Sequence, residues 1–245
     1  VARRQRTAGR GGANAVRPVS AVVFDLDGTL IDSVPDIAAA LNTCLAAEGR
    51  PALDDTDVAK LVGGGARELI ARAFSNSAAH ADIDRILGGF IVRYEAEPVR
   101  LTRLYPDAIE LLTWLKDRGL PLAICTNKPQ ALTDIIVKRL SLAPYFSVVW
   151  GAATGRPLKP DASCLRTLCE ALGTPPDKTV MVGDSRADVD AARAAGCRSI
   201  LVGHGYEQHP LASLGADSVA ADLAAVGRII AGWIGENDLP LQQPA

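Results

Sequence analysis

Short apolar runs recur along the chain without strict alternation. They are Ala21-Val22-Val23-Phe24, Leu120 to Cys125, Val148-Val149-Trp150, Thr179 to Val182 and Ser199 to Val202. Most of their residues are β-branched or aliphatic. Strands covered on both faces read this way, as in a parallel sheet flanked by helices. Helical patterns lie between them: Ala108 to Arg118, Gln130 to Leu140, Ala162 to Leu172 and Arg186 to Ala195. Gly119, Gly173 and Gly196 follow three of these as C-terminal stops. This alternation predicts an α/β fold, a doubly wound, Rossmann-like parallel sheet.

One interval is too long for that rhythm. Asp25 and Thr126 are 101 positions apart, whereas Thr126 to Lys159 spans 33 and Lys159 to Asp184 spans 25. A βαβ unit takes roughly 30 residues. The excess, about Pro35 to Leu101, lacks strand runs and reads as helices over Pro35 to Glu48, Thr56 to Leu61, Arg67 to Phe74 and Ala81 to Glu97. Asp54, Asp55 and Thr56 offer N-caps for the second. The expected organisation is a basic tail over 1–18, an α/β core over 19–33 and 102–235, an inserted α-helical domain over 34–101, and a tail over 236–245.

Composition narrows the function classes. A formal net charge of −2 gives no global pull toward nucleic acid or an anionic membrane. No apolar run approaches the roughly 18 residues of a membrane span. Five cysteines, an odd number without Cys-x-x-Cys spacing, read as buried thiols of a reducing compartment, so a cytoplasmic protein is expected. The first residues carry Arg3, Arg4, Arg6, Arg10 and Arg17 and no acid. They read as a disordered tail or an extension upstream of the true start, with a targeting peptide the weaker alternative.

Four polar pieces stand at predicted strand ends, where ligands bind in open parallel sheets. Asp25-Leu26-Asp27-Gly28-Thr29-Leu30 sets two carboxylates one residue apart. They repel unless a cation lies between them or one holds a proton; a turn rich in Asx residues is the ordinary alternative. Thr126-Asn127-Lys128 offers a hydroxyl and an amide, or simply a helix N-cap. Lys159-Pro160-Asp161 offers a fixed cation, or a solvated lysine. Gly183-Asp184-Ser185-Arg186-Ala187-Asp188 places two acids near a helix start, which helix ends favour anyway. Together Asp25, Asp27 and Asp184 can gather oxygen ligands for a hard cation such as Mg²⁺. Thr126 and Lys159 would face the other side of a phosphoryl group. Asp nucleophile, metal and positioned acid–base group together suit hydrolysis of a phosphate monoester.

In order and spacing these four pieces resemble the motifs of the haloacid dehalogenase superfamily, over about Val19 to Leu223. The resemblance implies that Asp25 attacks phosphorus to form an aspartyl-phosphate and that Asp27 serves as acid and then base. It implies Mg²⁺ held by Asp25, the Asp27 carbonyl and Asp184, with Asp188 supporting. Thr126, Asn127 and Lys159 would bind the substrate, under a helical cap. Asp27 separates phosphatases from dehalogenases, which lack a carboxylate there. The opening of the insertion and Leu61-Val62-Gly63-Gly64-Gly65-Ala66-Arg67 are similar to phosphoglycolate phosphatases, with Gly64 where that group has Asn. This implies a small phosphorylated metabolite as partner, with 2-phosphoglycolate foremost and a sugar-phosphate phosphatase or phosphomutase as alternatives. A monomer or homodimer is expected. Three glycines before a helix present N–H groups to an anion, and Arg67 one turn on suits a carboxylate; a flexible connector with solvated Arg67 is the other reading.

Overall fold

A computed structural model describes residues 18–75 and 82–236. Most of the predicted tails, and the start proposed for a helix at Ala81, lie outside the described residues.

The core is a six-stranded sheet of order β5-β4-β1-β6-β7-β8, parallel throughout. Its strands are β1 (Ala21–Phe24), β4 (Leu122–Pro129), β5 (Val148–Ala152), β6 (Thr179–Gly183), β7 (Arg198–Val202) and β8 (Ser218–Ala220). β1 is buried along its whole length and lies between β4 and β6. Chain order therefore reverses beside it, and such a switch point opens a crevice at the strand C-termini. α6 (Gln130–Arg139), α7 (Ala162–Ala171), α8 (Arg186–Ala195) and α9 (Leu223–Ile234) follow β4, β5, β6 and β8, and α5 (Ala108–Asp117) leads into β4. The apolar runs read as buried strands are these strands.

β8 and α9 were not read from the sequence. β8 is three residues long at a sheet edge, with Val219 half exposed, so it carries no apolar run. α9 does carry helix signals: Asp222 accepts from Ala225 N–H at 2.7 Å, and Gly235 ends it at φ +81°.

Thr126 and Asn127 prove not to cap a helix. β4 continues through them with a register shift before Pro129, and α6 starts at Gln130 after Pro129. Thr126, Asn127 and Lys128 are thus buried polar residues of an extended strand end.

Two crossings lead away from the core, β2 (Ile31–Asp32) and β3 (Arg103–Leu104), paired antiparallel. Between them lie α1 (Val34–Ala47), α2 (Asp55–Ala59), α3 (Ala66–Ala73) and α4 (Ile83–Ala96). Asp36 in the first turn of α1 fastens the crossings. Its carboxylate accepts from Leu101 N–H (2.9 Å), Thr102 N–H (2.8 Å) and Thr102 Oγ1 (2.8 Å) and is buried. All five cysteines are buried and free. No helix among the described residues is long and apolar enough to cross a membrane.

Candidate active site

Asp25 is the first residue past β1, and its N–H still pairs with Val182 O at 2.8 Å, as though the strand continued. The chain then folds tightly, with Ile31 N–H on Leu26 O (3.1 Å) and Gly28 N–H on Ile31 O (2.9 Å). Gly28 has φ +78°, and a Cβ there would run into the Asp184 carboxylate. Both the angle and the space require glycine.

Asp184 enters from the end of β6. Its Oδ2 accepts from Tyr206 N–H at 2.7 Å, and its Oδ1 from Thr29 Oγ1 at 3.3 Å. Asp188, on the first turn of α8, turns one oxygen back to Ser185 N–H (3.0 Å) and Ser185 Oγ (2.7 Å). Its other oxygen accepts from Lys159 Nζ at 2.6 Å, and the same ammonium lies 2.9 Å from Asp25 Oδ1. Lys159 comes from the loop after β5, fixed by its N–H on Asn127 Oδ1 at 2.9 Å. Two segments distant in sequence thus bring one carboxylate oxygen each from Asp25, Asp184 and Asp188 within 4.8 Å of one another.

These charges do not balance. Three buried carboxylates share one ammonium. Burial pushes the Asp25 carboxyl up to about 7, against the pull of Lys159 and helped by Asp188 and Asp27. Burial, then Asp25 and Asp188, hold Asp184 well above the usual carboxylate range. Lys159 is buried too, which opposes its charge, yet Asp188 and Asp25 raise it above an ordinary lysine. Excess negative charge on hard oxygen donors suits a divalent cation: magnesium ligands on opposite sides of the ion are about 4.2 Å apart. The donor set fits Mg²⁺.

Asp27 stands apart from this cluster. It accepts from Ser33 Oγ at 2.5 Å and from Lys128 Nζ at 2.9 and 3.2 Å. Lys128, on β4, also donates to Tyr94 OH of α4 at 2.7 Å and lies 4.5 Å from the Tyr94 ring centroid. Neither Lys128 nor Tyr94 stood out as a site residue in the sequence. A lysine in a strand that stays buried past its apolar run is the signal that would have found the first.

Thr126 Oγ1 accepts from Lys128 N–H at 3.2 Å, leaving its own proton free to donate. The Asn127 amide is committed to main chain, donating to Gly63 O (3.1 Å) and Lys159 O (3.0 Å). It ties the inserted helices to the Lys159 loop and lines the cavity beside Thr126. That cavity, partly open and about 40 Å³, lies between the inserted helices and the sheet. Its polar wall is Asp25, Asp27, Thr126 and Lys128; Ile37, Leu69, Phe90 and Leu132 supply apolar wall. Gly63 and Gly65 line it. Gly64 lies against the Glu68 carboxylate and lines, with Asp27, Lys159 and Asp184, a neighbouring pocket of about 410 Å³. Arg67 is exposed and paired with Asp84, so it is not brought to the carboxylates.

Tyr206 closes the back of the site. Its OH accepts from Ser33 N–H and donates to Asp32 Oδ1, both at 2.9 Å, while its N–H holds Asp184. Glu207 accepts from Arg186 N–H at 2.9 Å at the start of α8.

A doubly wound sheet with carboxylates converging past β1 and β6, a lysine past β5 and a helical insertion between β2 and β3 defines a hydrolase of a known class. The chain belongs to the haloacid dehalogenase-like hydrolase family, whose model matches residues 22–202. It is 39% identical over 222 residues to the phosphoglycolate phosphatase of Rhodospirillum rubrum, covering 88% of this chain and 90% of that one. With the phosphoglycolate phosphatase of Agrobacterium fabrum it shares 40% identity over 214 residues, 86% of this chain and 92% of the relative. Among solved structures, a predicted phosphoglycolate phosphatase from Haemophilus somnus superposes with TM-score 0.79 at 28% identity, covering 86% of this chain and 97% of that one.

Proposed function

We propose that the chain is a Mg²⁺-dependent phosphatase that hydrolyses 2-phosphoglycolate to glycolate and phosphate through an aspartyl-phosphate on Asp25. The convergence of the Asp25, Asp184 and Asp188 oxygens around Lys159 carries this reading. Asp25 and Asp184 would hold the ion together with the Asp27 main-chain carbonyl. When bound, the metal would neutralise phosphoryl oxygens and the Asp25 carboxylate.

The residues divide the chemistry. An Asp25 carboxylate oxygen attacks phosphorus, and the bond to the leaving oxygen breaks. Asp27 gives a proton to that oxygen. It then takes one from the water that attacks the aspartyl-phosphate, which releases phosphate and restores Asp25. Lys159 Nζ and the Thr126 hydroxyl donate to the phosphoryl oxygens as negative charge builds on them. Asp188 accepts from Lys159 Nζ and from the Ser185 N–H and Oγ, so it holds Lys159 and the start of α8 beside the ion.

The curated relatives named above carry the same substrate in their names.

The test is phosphate release from a panel of phosphorylated metabolites with Mg²⁺. Fastest turnover is expected on 2-phosphoglycolate, and Asp25→Asn is expected to abolish release. Undiminished hydrolysis of p-nitrophenyl phosphate by Asp25→Asn would overturn the nucleophile assignment. Isomer interconversion without phosphate release would make the chain a mutase.

A further inference from the structure

One buried cation shares a cavity with the reacting carboxylates. Lys128 is 5% exposed, and its ammonium donates to both Asp27 oxygens, at 2.9 and 3.2 Å, and to the Tyr94 hydroxyl at 2.7 Å. Both partners and the ammonium belong to the cavity beside Asp25 and Thr126. The 3.2 Å contact is the longest of the three, so that donor is the one an anionic group in the cavity can take over, as a charge-assisted bond.

The placement is specific. Thr126 and Asp25 mark where a phosphoryl group would lie, and Lys128 follows two residues after Thr126 on the same strand. A group one or two bonds beyond the leaving oxygen would reach the ammonium. Arg67, one turn past the cavity's glycines, is exposed and tied to Asp84.

We propose that Lys128, oriented by Tyr94, is the specificity residue for the leaving group and binds the carboxylate of a short phosphorylated acid. This rests on the phosphatase reading above. The substrate's carboxylate takes the donor now on Asp27 Oδ2 while Asp27 Oδ1 keeps its own, so acid–base group and substrate are aligned on one ammonium. Tyr94 belongs to the inserted domain and Lys128 to the core, so the subsite is complete only with the two domains together.

The experiment measures kcat and KM of the full chain with Mg²⁺ on 2-phosphoglycolate and on 2-hydroxyethyl phosphate, which replaces the carboxylate with a neutral hydroxymethyl group. In Lys128→Met kcat falls on both esters, because Asp27 loses its partner. The ratio of KM for the acid to KM for the neutral ester rises about 10-fold, the gap between a charged and a neutral hydrogen bond. Lys128→Arg restores part of the ratio. Should Lys128→Met fail to fold, Tyr94→Phe decides: it keeps the ring, loses the orienting hydroxyl and moves the ratio in the same direction. An unchanged ratio in the variants, or a wild-type enzyme indifferent between the esters, overturns this assignment while leaving the phosphatase intact. Absence of phosphate release from either ester and from p-nitrophenyl phosphate overturns both.

Discussion

Lys159→Met tests the electrostatic logic of the site. The substitution keeps the apolar stem and removes the charge. In the wild type the ammonium lies 2.9 Å from Asp25 and 2.6 Å from Asp188, with all three side chains buried. At an effective dielectric constant near 20, each pair attracts by roughly 6 kcal/mol. Desolvation offsets most of this, and removing one member of a buried pair typically costs about 3–5 kcal/mol. Urea unfolding in EDTA should therefore show a loss of about that size. Asp188→Asn in the Lys159→Met background should recover part of it, because the second substitution removes a charge the first left unpaired. The deficit should shrink as Mg²⁺ is added, since a cluster that has lost its ammonium gains more from a divalent cation. The midpoint shift between EDTA and Mg²⁺ should thus be larger in the variant than in the wild type. Turnover should drop about 10²–10³-fold even with saturating Mg²⁺, as for loss of one donor to transition-state charge. Stability within about 1 kcal/mol of wild type, together with an unchanged Mg²⁺ shift, would refute the picture of an anionic cluster held by one lysine.

Asp36→Ala leaves two main-chain N–H groups and the Thr102 hydroxyl without their buried acceptor; a loss of roughly 2–4 kcal/mol in urea unfolding is expected, with faster proteolysis at the crossings. Gly28→Ala meets both a positive φ and the Asp184 carboxylate. It should cut turnover more than stability, seen as lost phosphate release by a variant that still melts cooperatively. Tyr206→Phe removes the bonds to Ser33 N–H and Asp32 and should lower stability by about 1–3 kcal/mol in a thermal melt. EDTA should abolish phosphate release, and added Mg²⁺ should restore it.

The sheet was legible because its strands are covered on both faces. The five apolar runs each became one of β1, β4, β5, β6 and β7. The excess length between Asp25 and Thr126 corresponds to the four helices between β2 and β3. What escaped were elements without a buried run. β2 and β3 are two residues each, and β8 is an exposed edge of three. The extension of β4 also escaped, because a strand that ends in Thr-Asn-Lys looks polar unless one knows that tertiary structure buries it.

The same limit applies to the site. Asp25, Asp184 and Lys159 announced themselves by following strands, Asp188 by opening the helix after Asp184, and the fold brings all four to one place. Their positions follow from the sheet, so a periodic pattern was enough. Recognition of the leaving group depends instead on how the inserted helices sit over the core, which no local pattern encodes. Arg67 looked suited by type and spacing, yet α3 turns it to solvent and Asp84. Lys128 looked like an ordinary strand-end lysine, yet α4 closes over it with Tyr94. A cation's value to a substrate depends on what excludes water around it, because the same ammonium acts far more strongly in an apolar enclosure than on a surface. The motif residues proposed for the chemistry can therefore be read from sequence alone. The residue proposed to choose the substrate becomes visible only when the inserted helices are placed over the core.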